Sequence, residues 1–222
     1  MALSDKEILR QMEHGRVVID PMNERNLGTS SYDVSLGAWF FREKKPQNMR
    51  VYNVYNPEHV ERVWGTEPEY APQAQAIMED FDFVGLSPED RVMLIEPGET
   101  VLAHTEEFIG GKENITAMMK ARSSMGRNFL EVCKCAGWGD VGYVNRWTME
   151  ITNNSRYYSV PLVVGRRIAQ IIFFDVGEIR EQDYTVLGKY QTADDPEAIK
   201  QNWSPQMMVP KMYQDREAFD GD

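Results

Sequence analysis

Along the chain the apolar positions change period once, early. Ile8, Leu9 and Met12 fall at helical intervals, Ser4 precedes Glu7 by three residues in capping-box spacing, and Gly15 offers a stop. A short N-terminal helix is expected there. From Tyr32 the period is two. Tyr32, Val34 and Leu36 alternate with polar neighbours, and Ala38-Trp39-Phe40-Phe41 prolongs the apolar run. Residues 92–95, 115–119, 146–152, 160–164 and 168–174 read as further strands, and Pro97-Gly98 marks a turn before Val101 and Ala103. Short strands with turn signals and few helices point to a mainly all-β fold, a distorted barrel or double-sheet jelly roll. Residues 45–90, broken by Pro46, Pro57, Pro68, Pro72 and Pro88, read as an irregular insertion with some helix at 73–79. From Thr192 the chain turns polar, and this end is expected to be mobile unless it docks on a neighbour. Residues 1–222 are read as a single domain.

Composition narrows the classes. A chain of 222 residues with 42% hydrophobic and 27% charged positions has the make-up of a soluble globular protein with a sizeable core. Membrane and secretory readings are set aside: no apolar run approaches the ~20 residues of a bilayer crossing, and MALSDKEILR lacks a signal-peptide core. The only cysteines, Cys133 and Cys135, have one residue between them, so a reducing cytoplasm is expected and a disulfide framework is not. Thirty-five acids against 24 bases give a net charge of −11, which argues against general nucleic-acid binding. A small anionic substrate would need cations gathered locally.

One pattern is a decoy. His104-Thr105-Glu106 has the H-x-E form of zinc-dependent nucleobase deaminases, with Cys133-Lys134-Cys135 downstream. That chemistry draws its two thiolates from P-C-x-x-C. Here the spacing and the proline are both wrong. His104 is expected on a hairpin strand, the cysteines on another strand as half-buried residues, and no zinc or other protein-bound metal site is expected.

Residues 114–130 hold Lys120, Arg122 and Arg127 and no acid before Leu130, in an otherwise acidic chain. Ala121-Arg122-Ser123-Ser124-Met125-Gly126-Arg127 mixes guanidinium forks, hydroxyls and a glycine, the groups that hold a polyphosphate. On residues alone it is equally a solvated loop. Three glycines and Asp140 in residues 136–143 suggest a tight loop, followed by a clear alternation. Trp147, Met149 and Ile151 form one face, and Arg146, Thr148, Glu150 and Thr152 the other. Taken alone, Glu150 reads as a solvated strand glutamate. A pocket or a neighbouring subunit over the polar face would reverse that.

The blocks ARSSMGR, AGWGDVGYVNRWTMEITN, GRRIAQIIFF and LGKYQ, in this order, resemble the deoxycytidine triphosphate deaminase branch of the trimeric dUTPase superfamily. LSDKEI, SYDVSLG and the EPGETVLAHTEEF hairpin resemble family segments too. The resemblance spans roughly residues 3–191 and leaves 45–90 unplaced. It implies a dUTPase-like barrel, a homotrimer with active sites between subunits, and a cytoplasmic enzyme of a bacterial or virus-infected cell. It places Arg122, Ser123, Ser124 and Arg127 at the triphosphate, with Ser123 near the reacting end. Asp140 falls at the deoxyribose 3′-hydroxyl and the hydrolytic water, Glu150 at the catalytic glutamate and Gln170 at a phosphate. Tyr184 and Lys189 fall near a closing C-terminal lid.

The expected chemistry is hydrolytic deamination of dCTP to dUTP without zinc. Glu150 acts as base and then acid, and Arg127 and Ser123 help place water and base. Arg122, Ser124, Gln170 and Lys189 hold the triphosphate, with Mg2+ bound mainly through the nucleotide. A bifunctional enzyme giving dUMP, a dUTPase and a catalytically silent nucleotide-binding trimer are the alternatives. Three departures from the family pattern stand out: Gly139 before the aspartate, where a looser or differently shaped loop is expected, Val144-Asn145 after the aromatic, and Thr192-Ala193 after LGKYQ.

Overall fold

The structure, a computed structural model, describes residues 1–45, 48–78, 83–180, 184–191 and 195–215. Helix α1 (Asp5–Glu13) begins as its cap predicts, with Ser4 Oγ accepting the Glu7 N–H at 3.3 Å. The Glu7 carboxylate turns instead to Arg10 and Gln11, so only half of the capping box forms.

The strands among the described residues are β1 (Val17–Asp20), β2 (Tyr32–Arg42), β3 (Glu69–Tyr70), β4 (Val92–Ile95), β5 (Thr100–Gly111) and β6 (Ile115–Ala121). They continue as β7 (Leu130–Val132), β8 (Trp138–Gly139), β9 (Val144–Asn153), β10 (Val160–Val163) and β11 (Arg167–Asp175). The main sheet runs β7-β9-β5-β2-β11-β6-β8, with β1 on β5 and β3 on β2, and curls into a half-barrel. Residues 133–137 lead from β7, at one end of this path, to β8 at the other. Their backbone ties the ends together: the Cys133 N–H donates to Glu150 O at 3.0 Å and the Met119 N–H to Gly137 O at 2.7 Å. The mainly-β fold class thus holds.

The EPGETVLAHTEEF hairpin does not form. β4 pairs with β10 in a separate two-stranded ribbon, while β5 pairs with β1, β2 and β9. Pro97-Gly98 therefore carries the chain from one sheet to the next, with Gly98 at φ 77°. The core gathers the inward faces of the main sheet, including Tyr32, Leu36, Ile109, Met119, Met149, Ile171 and Phe173. No helix of the described residues is long and apolar enough to cross a membrane.

Helical structure departs from expectation in both irregular regions. In the insertion the expected segment is only a 3-10 turn, Ala74–Ala76, with Glu79 outside the described residues. The true helix is α2 (Pro57–Trp64), where Asn56 caps the Glu58 N–H and Pro57 opens the first turn. The tail repeats this device after the short helix α4 (Tyr184–Leu187): Asp195 caps and Pro196 opens α5 (Pro196–Asn202). The tail docks on its own chain, because apolar residues recur along its polar sequence. Ile199 packs with Phe108 and Val144, and Met208 with Phe41 and Leu102. Residues 192–194 lie outside the described residues.

Candidate active site

Period-two alternation turns Trp147, Met149 and Ile151 into the core and leaves Arg146, Thr148, Glu150 and Thr152 on the outer face of β9. Glu150 lies directly across the ladder from Leu102 of β5, and Thr148 from His104. This face is not open. The Trp203 ring lies against His104, tilted by 52° with centroids 4.7 Å apart, and Met208 packs on Leu102. Between the sheet, the insertion and the tail remains a cavity of about 670 Å³ lined by Glu150, Asp140, Lys134, Tyr143, Tyr184 and Tyr190, among others.

Burial raises the Glu150 carboxyl above the ordinary carboxylate range, because an ion loses hydration there. Its own backbone N–H and the charge of Lys134 pull the other way. Asp140 and Tyr184 share the cavity with it. Tyr184 is held twice, by its backbone N–H to Val141 O at 2.9 Å and by its ring against Tyr143 at 5.0 Å.

The turn feeding this cavity is not a strand. Cys133, Lys134 and Cys135 take φ of 71°, 38° and 66°, three successive non-glycine residues in the left-handed region. Backbone strain of that kind collects at functional sites. It sends Cys133 into the core and leaves Cys135 exposed, so the two thiols do not share a strand face. Burial raises the Cys133 thiol far above its usual value. His104 is 1% exposed and both ring nitrogens are engaged: Nε2 accepts from the Trp39 N–H at 3.2 Å and Nδ1 donates to Thr105 O at 2.8 Å. Desolvation lowers its pKa to about 4, so it is neutral at pH 7.

Gly139 makes room for a neighbouring ring. A Cβ there would meet the Trp147 ring at 2.4 Å, so the missing side chain is replaced by the indole and the loop is filled, not loosened. The second departure, Val144-Asn145, receives the strap that follows α4. Gln191 Oε1 accepts the Val144 N–H at 2.8 Å, and Asn145 Nδ2 donates to Tyr190 O at 3.0 Å.

The phosphate-type residues gather elsewhere. Arg122 Nε stands 3.1 Å from Asp33 Oδ2, and Arg167 Nη1 is 3.2 Å from the same oxygen. Gln170 Nε2 donates to Ser31 Oγ at 3.3 Å, beside them. Ser123, Ser124 and Arg127 lie on a five-residue helix, α3 (Ser123–Arg127), and are exposed, as is Phe129. Gly126 has open space where a Cβ would stand, so within one chain nothing approaches it. Lys189 pairs with Asp215 of the tail.

The candidate residues thus fall into a carboxylate cavity (Glu150, Asp140, Tyr184), a cluster around Asp33 (Arg122, Gln170), an exposed arm (Ser123, Ser124, Arg127) and a tail cation (Lys189). Sequence reasoning missed Asp33, Lys134, Tyr52, Trp64 and Met208. Asp33 sits in the SYDVSLG block, and Lys134 lay inside the dismissed zinc decoy. The Asn56-Pro57 cap that positions Trp64 was visible as a helix start.

A sequence model described as dCTP deaminase-like matches residues 2–176. The chain belongs to this family. A relative named dCTP deaminase, dUMP-forming, from Methanosphaera stadtmanae is 31% identical over 183 residues, covering 82% of this chain and 83% of the relative. A protein of the same name from Persephonella marina is 31% identical over 192 residues, covering 86% and 92%. In fold the chain is similar to the 2′-deoxycytidine 5′-triphosphate deaminase of Agrobacterium tumefaciens, with TM-score 0.52 and 15% identity. That likeness covers 78% of this chain and 47% of the other, about half its length. The family match ends at residue 176, so the tail that roofs Glu150 lies outside it.

Proposed function

We propose that this chain converts dCTP to dUMP in two hydrolytic steps: dCTP and water give dUTP and ammonia, then dUTP and water give dUMP and pyrophosphate. The observation that carries this reading is that two carboxylates of different environment, Glu150 and Asp140, line one cavity. The names of the relatives at 31% identity favour dUMP over dUTP as the end product.

In the first step Glu150 takes a proton from the water that attacks C4. It passes that proton to ring N3, then takes the proton of the new C4 hydroxyl and hands it to the amine, which leaves as ammonia when C4=O forms and the C4–N bond breaks. A carboxyl with a raised pKa suits both directions of transfer near neutral pH. In the second step Asp140 orients water toward the α-phosphorus. Tyr184 and the strap closed on Val144 and Asn145 exclude bulk water.

The triphosphate needs cations that the cavity does not hold. Ser123, Ser124 and Arg127 project from the chain, so we assign them to the cavity of a neighbouring copy in a homotrimer, with Arg122 and Gln170 behind them. Lys189 joins them on release from Asp215. Magnesium enters as part of the substrate, held by phosphate oxygens. Among the described residues no three His, Cys, Asp or Glu side chains gather to hold a cation.

Ammonia and pyrophosphate measured together from dCTP and dUTP test the reading. Both products from dCTP are expected. Ammonia alone makes the enzyme a deaminase that stops at dUTP, pyrophosphate from dUTP alone makes it a dUTPase, and neither sinks the proposal.

A further inference from the structure

Part of the cavity wall comes from the irregular segment that carries α2. Tyr52, Val63 and Trp64 line the same space as Glu150. Val60 and Val63 are the buried positions of α2, and Trp64 at its end packs against the Phe41–Leu102–Met208 cluster. Leu102 of that cluster faces Glu150 across the ladder.

Among the described residues, four buried side-chain polar atoms lack a hydrogen-bond partner: Gln11 Oε1, Arg146 Nε, Tyr52 Oη and Trp64 Nε1. The last two belong to residues of this cavity. Folded proteins leave few such atoms, because an unmatched buried donor is costly. The fold of α2 does not require either one. Its first turn is capped by Asn56, and its last is closed by the Gly65 N–H on Glu61 O at 2.7 Å. At position 52 a phenylalanine would supply the same ring without the unmet polar atom.

We propose that Tyr52 and Trp64 are substrate-contacting residues that donate to acceptor atoms on the edge of the pyrimidine. This rests on the reading of the cavity as a deoxycytidine nucleotide site. An indole N–H only donates, so its partner is an acceptor. Val63, Leu102 and Met208 make this wall apolar, and a phosphate's charge would be expensive to bury there. A neutral ring nitrogen or carbonyl is not. Both atoms are shut off from solvent in this structure, so contact with the base requires the wall to open around it.

The test uses the full chain, with Y52F removing one oxygen and W64F replacing the indole and its N–H by a smaller phenyl ring. For each, KM for dCTP rises roughly 5- to 10-fold with kcat within about twofold. The Tm of free Y52F stays level or rises, because an unmatched atom is gone, while in both variants the Tm increase produced by dCTP shrinks. Unchanged KM and an unchanged dCTP-induced Tm increase in the isosteric Y52F overturn the proposal. So does a lower Tm of free Y52F, which marks a structural partner for the hydroxyl. If the unaltered protein neither releases ammonia nor gains Tm with dCTP, the functional reading falls first. Ammonia release with an indifferent Y52F removes only this inference.

Discussion

The Glu150 cavity and the arm at residues 122–129 hold the same density of chemistry-bearing residues and meet opposite fates in a single chain. Glu150 is roofed by its own tail and insertion, and its carboxyl is raised by desolvation. Ser123, Ser124 and Arg127 stand exposed beside a Phe129 that is 56% exposed. A buried acid beside an apolar wall is ready for proton transfer but cannot hold a polyphosphate. An exposed cationic arm can hold a polyphosphate but cannot dry a reacting carbon. Each region lacks what the other has, and joining them between copies satisfies both.

The largest effect comes from removing the carboxylate. E150Q is expected to lose ammonia release by about 10³-fold or more, with nucleotide binding nearly intact. Its second readout is stability. A carboxyl whose folded pKa lies above its unfolded value weakens the fold once pH passes both. Glutamine removes that penalty, so the Tm of E150Q at pH 7 should rise, by roughly 2–4 °C per kcal/mol recovered. Retained deamination would break the contrast between the two regions at its root.

Next in size is restoration in mixed oligomers. E150Q supplies a good arm and R127A a good carboxylate. Co-expressed in equal amounts, two inactive chains should regain about a quarter of full activity if each site takes its arm from a neighbour, as random pairing dictates. Activity no higher than the sum of the separate variants would place the whole site in one chain.

Much of the fold was legible because β-strands write their burial as alternation. Trp147, Met149 and Ile151 declared an inward face, and the structure places all three in the core. The pocket above the opposite face was not legible, since it depends on contacts between residues far apart in sequence. Met208 reaches Leu102 across more than a hundred positions, and no local pattern records that. Two of the helices missed, α2 and α5, were written locally, each as a capping side chain followed by proline. Proline density drew attention away from the cap that preceded it. The hairpin error has another cause: a Pro-Gly turn specifies a reversal but not which strands pair beyond it.

The third test removes the roof. Met208 is 3% exposed, and M208A should weaken tail docking by about 2–3 kcal/mol, since truncating a buried methionine costs that order. The tail should become open to limited proteolysis at unchanged barrel stability. With water admitted, Glu150 regains hydration and its pKa falls toward the ordinary range. The acid limb of kcat therefore moves to lower pH. An unmoved limb would show that the sheet alone, and not the tail, sets the carboxyl's environment.

The smallest effect has the opposite sign. Lys134, held at the cavity by the left-handed turn, favours the ionised form of Glu150. Removing that charge in K134M leaves burial to act unopposed, so the acid limb should move to higher pH, by less than about one unit because the lysine is exposed. Salt separates the two causes. Screening shortens the reach of an exposed charge but leaves desolvation almost untouched. Raising ionic strength should therefore move the unaltered enzyme's limb toward that of K134M and leave the M208A displacement in place. If salt changes neither limb, Lys134 acts by shaping the turn and not by its charge, and the cavity's acidity is set by dehydration alone.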